Sequence, residues 1–150
     1  MYPDPTVADF IEQHFVPVRV HVKDDAGEFK KLGGRYNAQW TPTILVIDPA
    51  SGEERYRIEG FLPVENFLPQ LRLGLAHAAF ARQDFDMAER LFREIQERHA
   101  DTESASEAQY WEGVSKYKRT GDAAALGDTA RRFKERYQTT TWAKKASVWQ

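Results

Sequence analysis

One stretch constrains this chain more than any other: Gln39-Trp40-Thr41-Pro42-Thr43-Ile44-Leu45-Val46-Ile47-Asp48, in which a proline stands directly ahead of an apolar, partly β-branched run. Proline has no N–H to give to a ladder, so within sheets it is confined to first residues, edges and bulges. The run Thr43 to Asp48 therefore reads as a strand that starts at Pro42. Pro49-Ala50-Ser51-Gly52 supplies hairpin-loop residues, and Glu54 to Gly60 reads as the returning strand. The chain contains no cysteine. Disulfides, thiolate metal sites and sulfur nucleophiles are thereby excluded for the chain as written, and the redox compartment is left undetermined.

Length and charge narrow the classes further. With 150 residues, 41% of them hydrophobic and 13% aromatic, the chain is long enough for one ordinary domain or two small ones and rich enough to bury a core. A net charge of -2 provides no global field to steer it toward nucleic acid or an anionic membrane. No run approaches the roughly 18 apolar residues of a membrane span. Met1-Tyr2-Pro3-Asp4-Pro5 lacks the basic start and apolar stretch of a signal peptide, so a cytoplasmic location is expected.

The style of the sequence changes near Leu71. Before it, Val7 to Phe15 and Glu28 to Tyr36 read as helices, with Val16-Pro17-Val18-Arg19-Val20-His21-Val22 as a strand between them. After it, everything has helical period, interrupted at Gln83-Asp84-Phe85-Asp86, Ala100-Asp101-Thr102-Glu103, Gly121-Asp122 and Gln138-Thr139-Thr140-Thr141. The expected boundary divides the chain into 1–72 and 73–150.

The amino-terminal order of helix, strand, helix, strand, strand and helix resembles a thioredoxin fold without its opening strand. Tyr2-Pro3-Asp4-Pro5-Thr6-Val7-Ala8-Asp9-Phe10-Ile11 and Phe15-Val16-Pro17-Val18 look like the helix body and strand that follow a CxxC motif in that family. Trp40-Thr41-Pro42-Thr43 is similar to its proline loop, Arg57-Ile58-Glu59-Gly60-Phe61 to the end of its last strand, and Pro63 to Leu71 to its closing helix. The resemblance implies an α/β domain lacking its first central strand, with a cis bond at Thr41–Pro42. It also implies a peptide-docking surface in which Thr41 presents backbone, Pro42 shapes the groove and Trp40 forms a wall. A cis X-Pro bond costs only about 0.5–1 kcal/mol over trans, and a free backbone beside it can pair with an extended peptide. Two plainer readings stay open: Pro42 as a trans proline starting an edge strand, and Trp40 as ordinary core.

The second half holds a near-repeat. Leu75 to Phe80 with Asp84 to Phe92 forms one helix-turn-helix unit, and Tyr110 to Tyr117 with Ala130 to Phe133 forms another. The Phe80-to-Tyr117 spacing is close to the roughly 34-residue tetratricopeptide period. Ala76, Ala88, Gly113 and Ala130 are small enough for close helix approach, while Phe80, Phe92, Tyr117 and Phe133 fill between. This half resembles a tetratricopeptide-like helical array, with Trp142 to Trp149 as a terminal helix that caps it or pairs with another chain.

The remaining patterns carry little. His14, His21, His77 and His99 lack ligand spacing and read as surface histidines, so no metal or cofactor is expected. Gly113-Val114-Ser115-Lys116-Tyr117 lacks the second glycine of a nucleophile elbow, and Gly33-Gly34 reads as a helix end and not a phosphate cradle. Asp24-Asp25 and Glu53-Glu54 read as solvated loop carboxylates. The basic excess from Lys116 to Lys145 reads first as the solvated face of amphipathic helices, with an acidic partner as the alternative.

The sequence thus points to a protein-interaction module that binds a polypeptide partner, with no catalytic residue of its own. The rival reading is the carboxy-terminal portion of a thiol-disulfide oxidoreductase whose CxxC lies upstream of residue 1. Without the central strand, Val16–Val22 and the Thr43–Gly60 hairpin lack their common neighbour. Exchange within a homodimer, direct pairing of the two parts, or a strand from a different protein would each supply one.

Overall fold

The structure, a computed structural model, describes residues 4–150. Two compact units emerge, one ending at Phe67 and the other spanning Leu68–Gln150, and the division falls inside a helix. Tyr2 and Pro3, which open the proposed family-like segment, lie outside the described residues.

In the first unit, α1 (Pro5–His14) begins where Asp4 accepts hydrogen bonds from the N–H groups of Thr6 and Val7 at 2.9 and 3.3 Å. These bonds satisfy two of the orphan donors at the helix start, and Pro5 has no N–H that needs satisfying. Val7 and Phe10, one turn apart, are its buried residues. Helix α2 (Ala26–Tyr36) runs through Gly33-Gly34 and stops at Asn37, whose φ of 52° takes the left-handed role the sequence had suggested for the glycines.

Strands β1 (Thr43–Ile47) and β2 (Glu54–Glu59) form an antiparallel hairpin, paired Thr43 with Glu59 through Val46 with Tyr56. A bulge at Arg55 shifts the register before Ile47 meets Glu54. The loop closes on Asp48. Its N–H donates to Glu53 at 2.9 Å, its carbonyl accepts from Gly52 at 2.7 Å, and its carboxylate accepts from Ala50 N–H at 2.9 Å. Gly52 sits at φ 72°, where a side chain is strained.

The expected strand over Val16–Val22 does not form. This segment has no ladder partner, and Val16 and Val18 are 92% and 82% exposed. A strand exists only through the hydrogen bonds of a neighbour, and among the described residues the sheet consists of β1 and β2. Direct pairing of this segment with the hairpin is therefore ruled out within one described chain.

Helix α3 (Val64–Ala81) is continuous, where the sequence suggested a closing helix and then a fresh helix near Leu71. Pro69 lies within its second turn and is fully buried. The second unit continues with α4 (Phe85–Arg98), α5 (Glu103–Thr120), α6 (Ala124–Glu135), α7 (Thr141–Ala146) and a short 3-10 turn over Ser147–Trp149. The rings of His77 and Phe80 on α3 meet Phe92 and Phe85 on α4, α4 packs on α5 and α5 on α6, and α7 packs on both α5 and α6. Asp84 and Thr140 cap α4 and α7 through side-chain oxygens, and Gly121 at φ 72° ends α5. No described helix is long and apolar enough to cross a membrane.

The core of this unit is built from small residues beside rings. Ala76, Ala88 and Ala130 are buried with Phe92 and Phe133. The ring of His77 stands edge-on to Phe92 and Trp111, each at 5.1 Å, and its Nε2 lies 2.8 Å from Glu107. His77 is thus a packed and paired residue, not a surface one. At the carboxy end Tyr110 stacks on Trp149 at 4.7 Å and meets Trp142 at 5.2 Å, which fastens the terminal segment to α5.

Between α4, α5 and α6 half-exposed arginines close over two buried carboxylates. Glu112 accepts from Arg93 at 3.0 Å, from Arg132 at 2.9 Å and from Gln96 at 2.7 Å. Glu89 accepts from Arg93 at 2.8 Å and Arg119 at 2.7 Å, and the second arm of Arg132 reaches Gln96 at 2.7 Å. Arg119 and Arg132 lie on the solvated face expected from sequence, and their guanidinium groups also reach in to clasp this network. Burial raises the Glu112 carboxyl, but the bonds from Gln96, Arg132 and Arg93 together outweigh it and hold the group below its ordinary value of 4.5. A folded-state value below the unfolded one stabilises the protein above about pH 4.5, and that stability is lost as pH falls through the depressed value.

Two outcomes follow for the helical unit. Glu112→Gln should lower unfolding free energy by about 2 kcal/mol at neutral pH. Urea titrations of the two proteins should converge as pH drops below the ordinary glutamate range, and a gap independent of pH would refute the charge-based origin. At Gly113 an added Cβ would collide with the Thr129 hydroxyl and lie 2.8 and 2.9 Å from its Cβ and Cγ2. Gly113→Ala should therefore destabilise by about 1–3 kcal/mol through overpacking, despite gaining roughly 1 kcal/mol of helix propensity. Adding Thr129→Ala to Gly113→Ala should return part of that loss in thermal melts.

Candidate functional site

The hairpin register places the site. Gly60 N–H donates to the Pro42 carbonyl at 2.9 Å, and Asp48 N–H donates to Glu53. In an antiparallel ladder the bonded residues alternate, so Pro42, Ile44, Val46 and Asp48 turn their backbones toward β2. Thr43, Leu45 and Ile47 then turn theirs to the opposite edge, where the two-stranded sheet offers no partner. Side chains alternate too. Val46 and Ile58 are buried on one face, while Leu45 and Arg57 pair across the other.

Arg57 joins the hairpin to the end of α2. Its guanidinium bonds Glu54 in bidentate fashion at 2.7 and 2.8 Å and Glu59 at 2.9 Å. It also donates to the carbonyls of Tyr36 and Asn37. Glu54 and then Glu59 raise its already high pKa, so it stays a cation. Tyr36 adds a bond from its hydroxyl to the Gly52 carbonyl at 2.9 Å. Asp48 stays ionised. The N–H of Ala50 chiefly lowers its pKa, burial opposes this, and Ser51 and Arg55 help lower it. The hairpin and the segment leading into it, Ala38 to Pro42, are thus held at both ends.

On this frame the Thr41–Pro42 peptide bond is cis. Trp40 is 68% exposed, so it is not a core residue. Its carbonyl accepts from the Thr43 hydroxyl at 2.6 Å, which fixes the bend ahead of β1. Thr41 and Pro42 are exposed as well, and no backbone hydrogen bond ties Thr41 to another described residue. The three residues named from sequence therefore stand together at the surface, at the open end of the β1 edge.

Phe61 was not anticipated. Extending the register by one pair beyond Pro42 and Gly60 sets Phe61 opposite Thr41, and its ring is 73% exposed. The pairing of Asp48 with Glu53 at the loop would by itself set Gly60 opposite Thr41, and it is the bulge at Arg55 that brings Phe61 there, so the loop residues alone did not reveal it. Trp40 and Phe61 thus supply two exposed aromatic side chains around a stretch of unpaired backbone. Such an arrangement can accept the backbone of an extended chain and shelter its apolar side chains. None of Trp40, Thr41, Pro42 and Phe61 carries a group that titrates near neutral pH, so proton transfer is not among the things these four can do.

The histidines lie elsewhere and do not gather. His21 bonds within its own turn through Asp24 and Asp25, and His99, whose pKa is lowered by burial and then by Arg72 and Arg98, belongs to the helical unit. No curated protein and no solved structure matches the chain. Residues 1–74, just under half of the sequence, match the family model of a thioredoxin-like domain, and the sequence contains no cysteine.

Proposed function

We propose that this chain is a non-catalytic protein-interaction module, in which the thioredoxin-like domain receives extended polypeptide and a tetratricopeptide-like helical array forms the second part. The observation that carries this reading is the conjunction of an unpaired strand edge at Thr43, Leu45 and Ile47 with exposed Trp40 and Phe61 at its end. An edge strand with free N–H and C=O groups binds extended chains by adding a strand. Apolar rings beside it contribute the burial that backbone bonds alone do not. In the helical half, small residues at Ala76, Ala88 and Ala130 and the close approach of Gly113 to Thr129 support tetratricopeptide-like packing.

A second reading draws on the unpaired Val16–Val22 segment. A sheet missing a neighbour on that side is also what the carboxy-terminal portion of a thiol-disulfide oxidoreductase would present, its CxxC lying in a preceding segment. An in-frame strand followed by CxxC in the reading frame upstream of Met1 would favour this second reading over the first.

Binding is measured by titrating the full chain with reduced, carboxymethylated α-lactalbumin, a permanently unfolded polypeptide, and following anisotropy of a label on the probe. Trp40→Ala and Phe61→Ala should each weaken binding about tenfold, equivalent to about 1.4 kcal/mol, with unchanged circular dichroism. Wild-type affinity in both variants would sink the assignment of this surface.

A further inference from the structure

The two open features of the amino-terminal unit match each other. Laid out as a strand, Val16, Val18 and Val20 direct their backbones to one edge and Pro17, Arg19 and His21 to the other. Pro17, which has no N–H, thus falls on the second edge, where its missing donor does no harm. That edge is already engaged at its end, because His21 N–H donates to Asp25 Oδ2 at 2.9 Å and its carbonyl accepts from Asp25 N–H at 2.9 Å. The valine edge is left with three N–H and three C=O groups over five residues. The free edge of β1 offers the same number over the same length, at Thr43, Leu45 and Ile47.

Exposure concentrates in the same places. Val16, Val18, Val22, Trp40 and Phe61 are exposed large apolar side chains of this unit, while the helical unit shows only Met87 and Val148 among the described residues. Within one chain the valine segment and β1 do not pair. We propose that the polypeptide received at the β1 edge is the Val16–Val20 segment of a second copy of this chain, exchanged reciprocally in a two-fold dimer. The inference rests on the reading of that edge as a polypeptide-binding surface and names its occupant. A two-fold axis lets segment meet edge and edge meet segment at once, so both sets of backbone groups are satisfied and no edge propagates into a filament. Two five-residue ladders, each flanked by valines and two rings, make a small interface, in the size class of weak, transient complexes.

Sedimentation velocity of the full chain, from about 1 to about 100 μM, tests this. A reversible monomer–dimer equilibrium is expected. Val18→Pro deletes the central N–H of the valine edge in an exposed segment outside any helix, and should leave the protein monomeric with an unchanged circular dichroism spectrum. Should that variant misfold, Val18→Lys supplies the same test, since it places a charge in the apolar contact. A synthetic peptide spanning Val16–Val22 should compete and shift the wild type toward monomer by at least threefold. A wild type that is monomeric throughout overturns the proposal, as does a dimer that persists in a folded Val18 variant. In either case binding of carboxymethylated α-lactalbumin that depends on Trp40 would leave the reading of the edge standing, whereas loss of both would remove it.

Discussion

A two-stranded ladder satisfies only one side of each strand, and that incompleteness governs the amino-terminal half of this protein. The backbone of β1 alternates between bonds to β2 at Ile44 and Val46 and open groups at Thr43, Leu45 and Ile47. Buried polar groups without partners are costly, so the open side has to remain at the surface. The exposed aromatics Trp40 and Phe61 stand beside it for the same reason: no further strand among the described residues covers them. The hairpin nonetheless holds its shape, because Arg57 and Tyr36 fasten it to the end of α2 and Asp48 closes its loop.

The helical unit solves its own accounting in the opposite way. Glu89 and Glu112 are buried, yet each carboxylate is enclosed by arginine or glutamine donors from other turns and helices. Removing two charges from water is expensive unless geometry and hydrogen bonds repay it, and here both are present. The network also locks α4, α5 and α6 in one register, because Arg93 and Arg132 cannot reach Glu112 in a slipped alignment. Apolar packing supplies most of the burial, while the charges choose among the packings it permits. The buried carboxylates of the helical half are therefore satisfied within the chain, whereas the outer edge of β1 is left open among the described residues.

Much of this was legible in the residues. Pro42 ahead of Thr43 to Ile47, with the loop Pro49 to Gly52 behind, located the hairpin to within a residue, because proline and glycine act locally and a β-branched run has few alternatives. The breaks around Asp84, Gly121 and Thr140 were visible as interruptions of the helical period, and the structure makes these three residues caps. The strand at Val16–Val22 was not realised although its residues favour one, because a strand is a relation between segments and its partner is absent. His77 looked like a surface residue and is packed, and the partners of the exposed Arg119 and Arg132 were not foreseen, since sequence shows a charge but not what a distant helix brings to it. Phe61 was passed over because its position opposite Thr41 depends on the register and not on its neighbours in the chain.

From the sequence alone came the lack of cysteine in these 150 residues, the hairpin and its proline loop, the helical character of the second half and the small residues that let helices close. These are properties of residue type and short-range order, where φ restriction, turn chemistry and hydrophobic period act over a few positions. Only the tertiary structure decided that the valine segment stays unpaired, that β1 keeps an open edge beside Trp40 and Phe61, and that Glu112 gathers its arginines. Each of those depends on which groups meet across long stretches of chain, and hydrogen-bond partnership is fixed by that meeting.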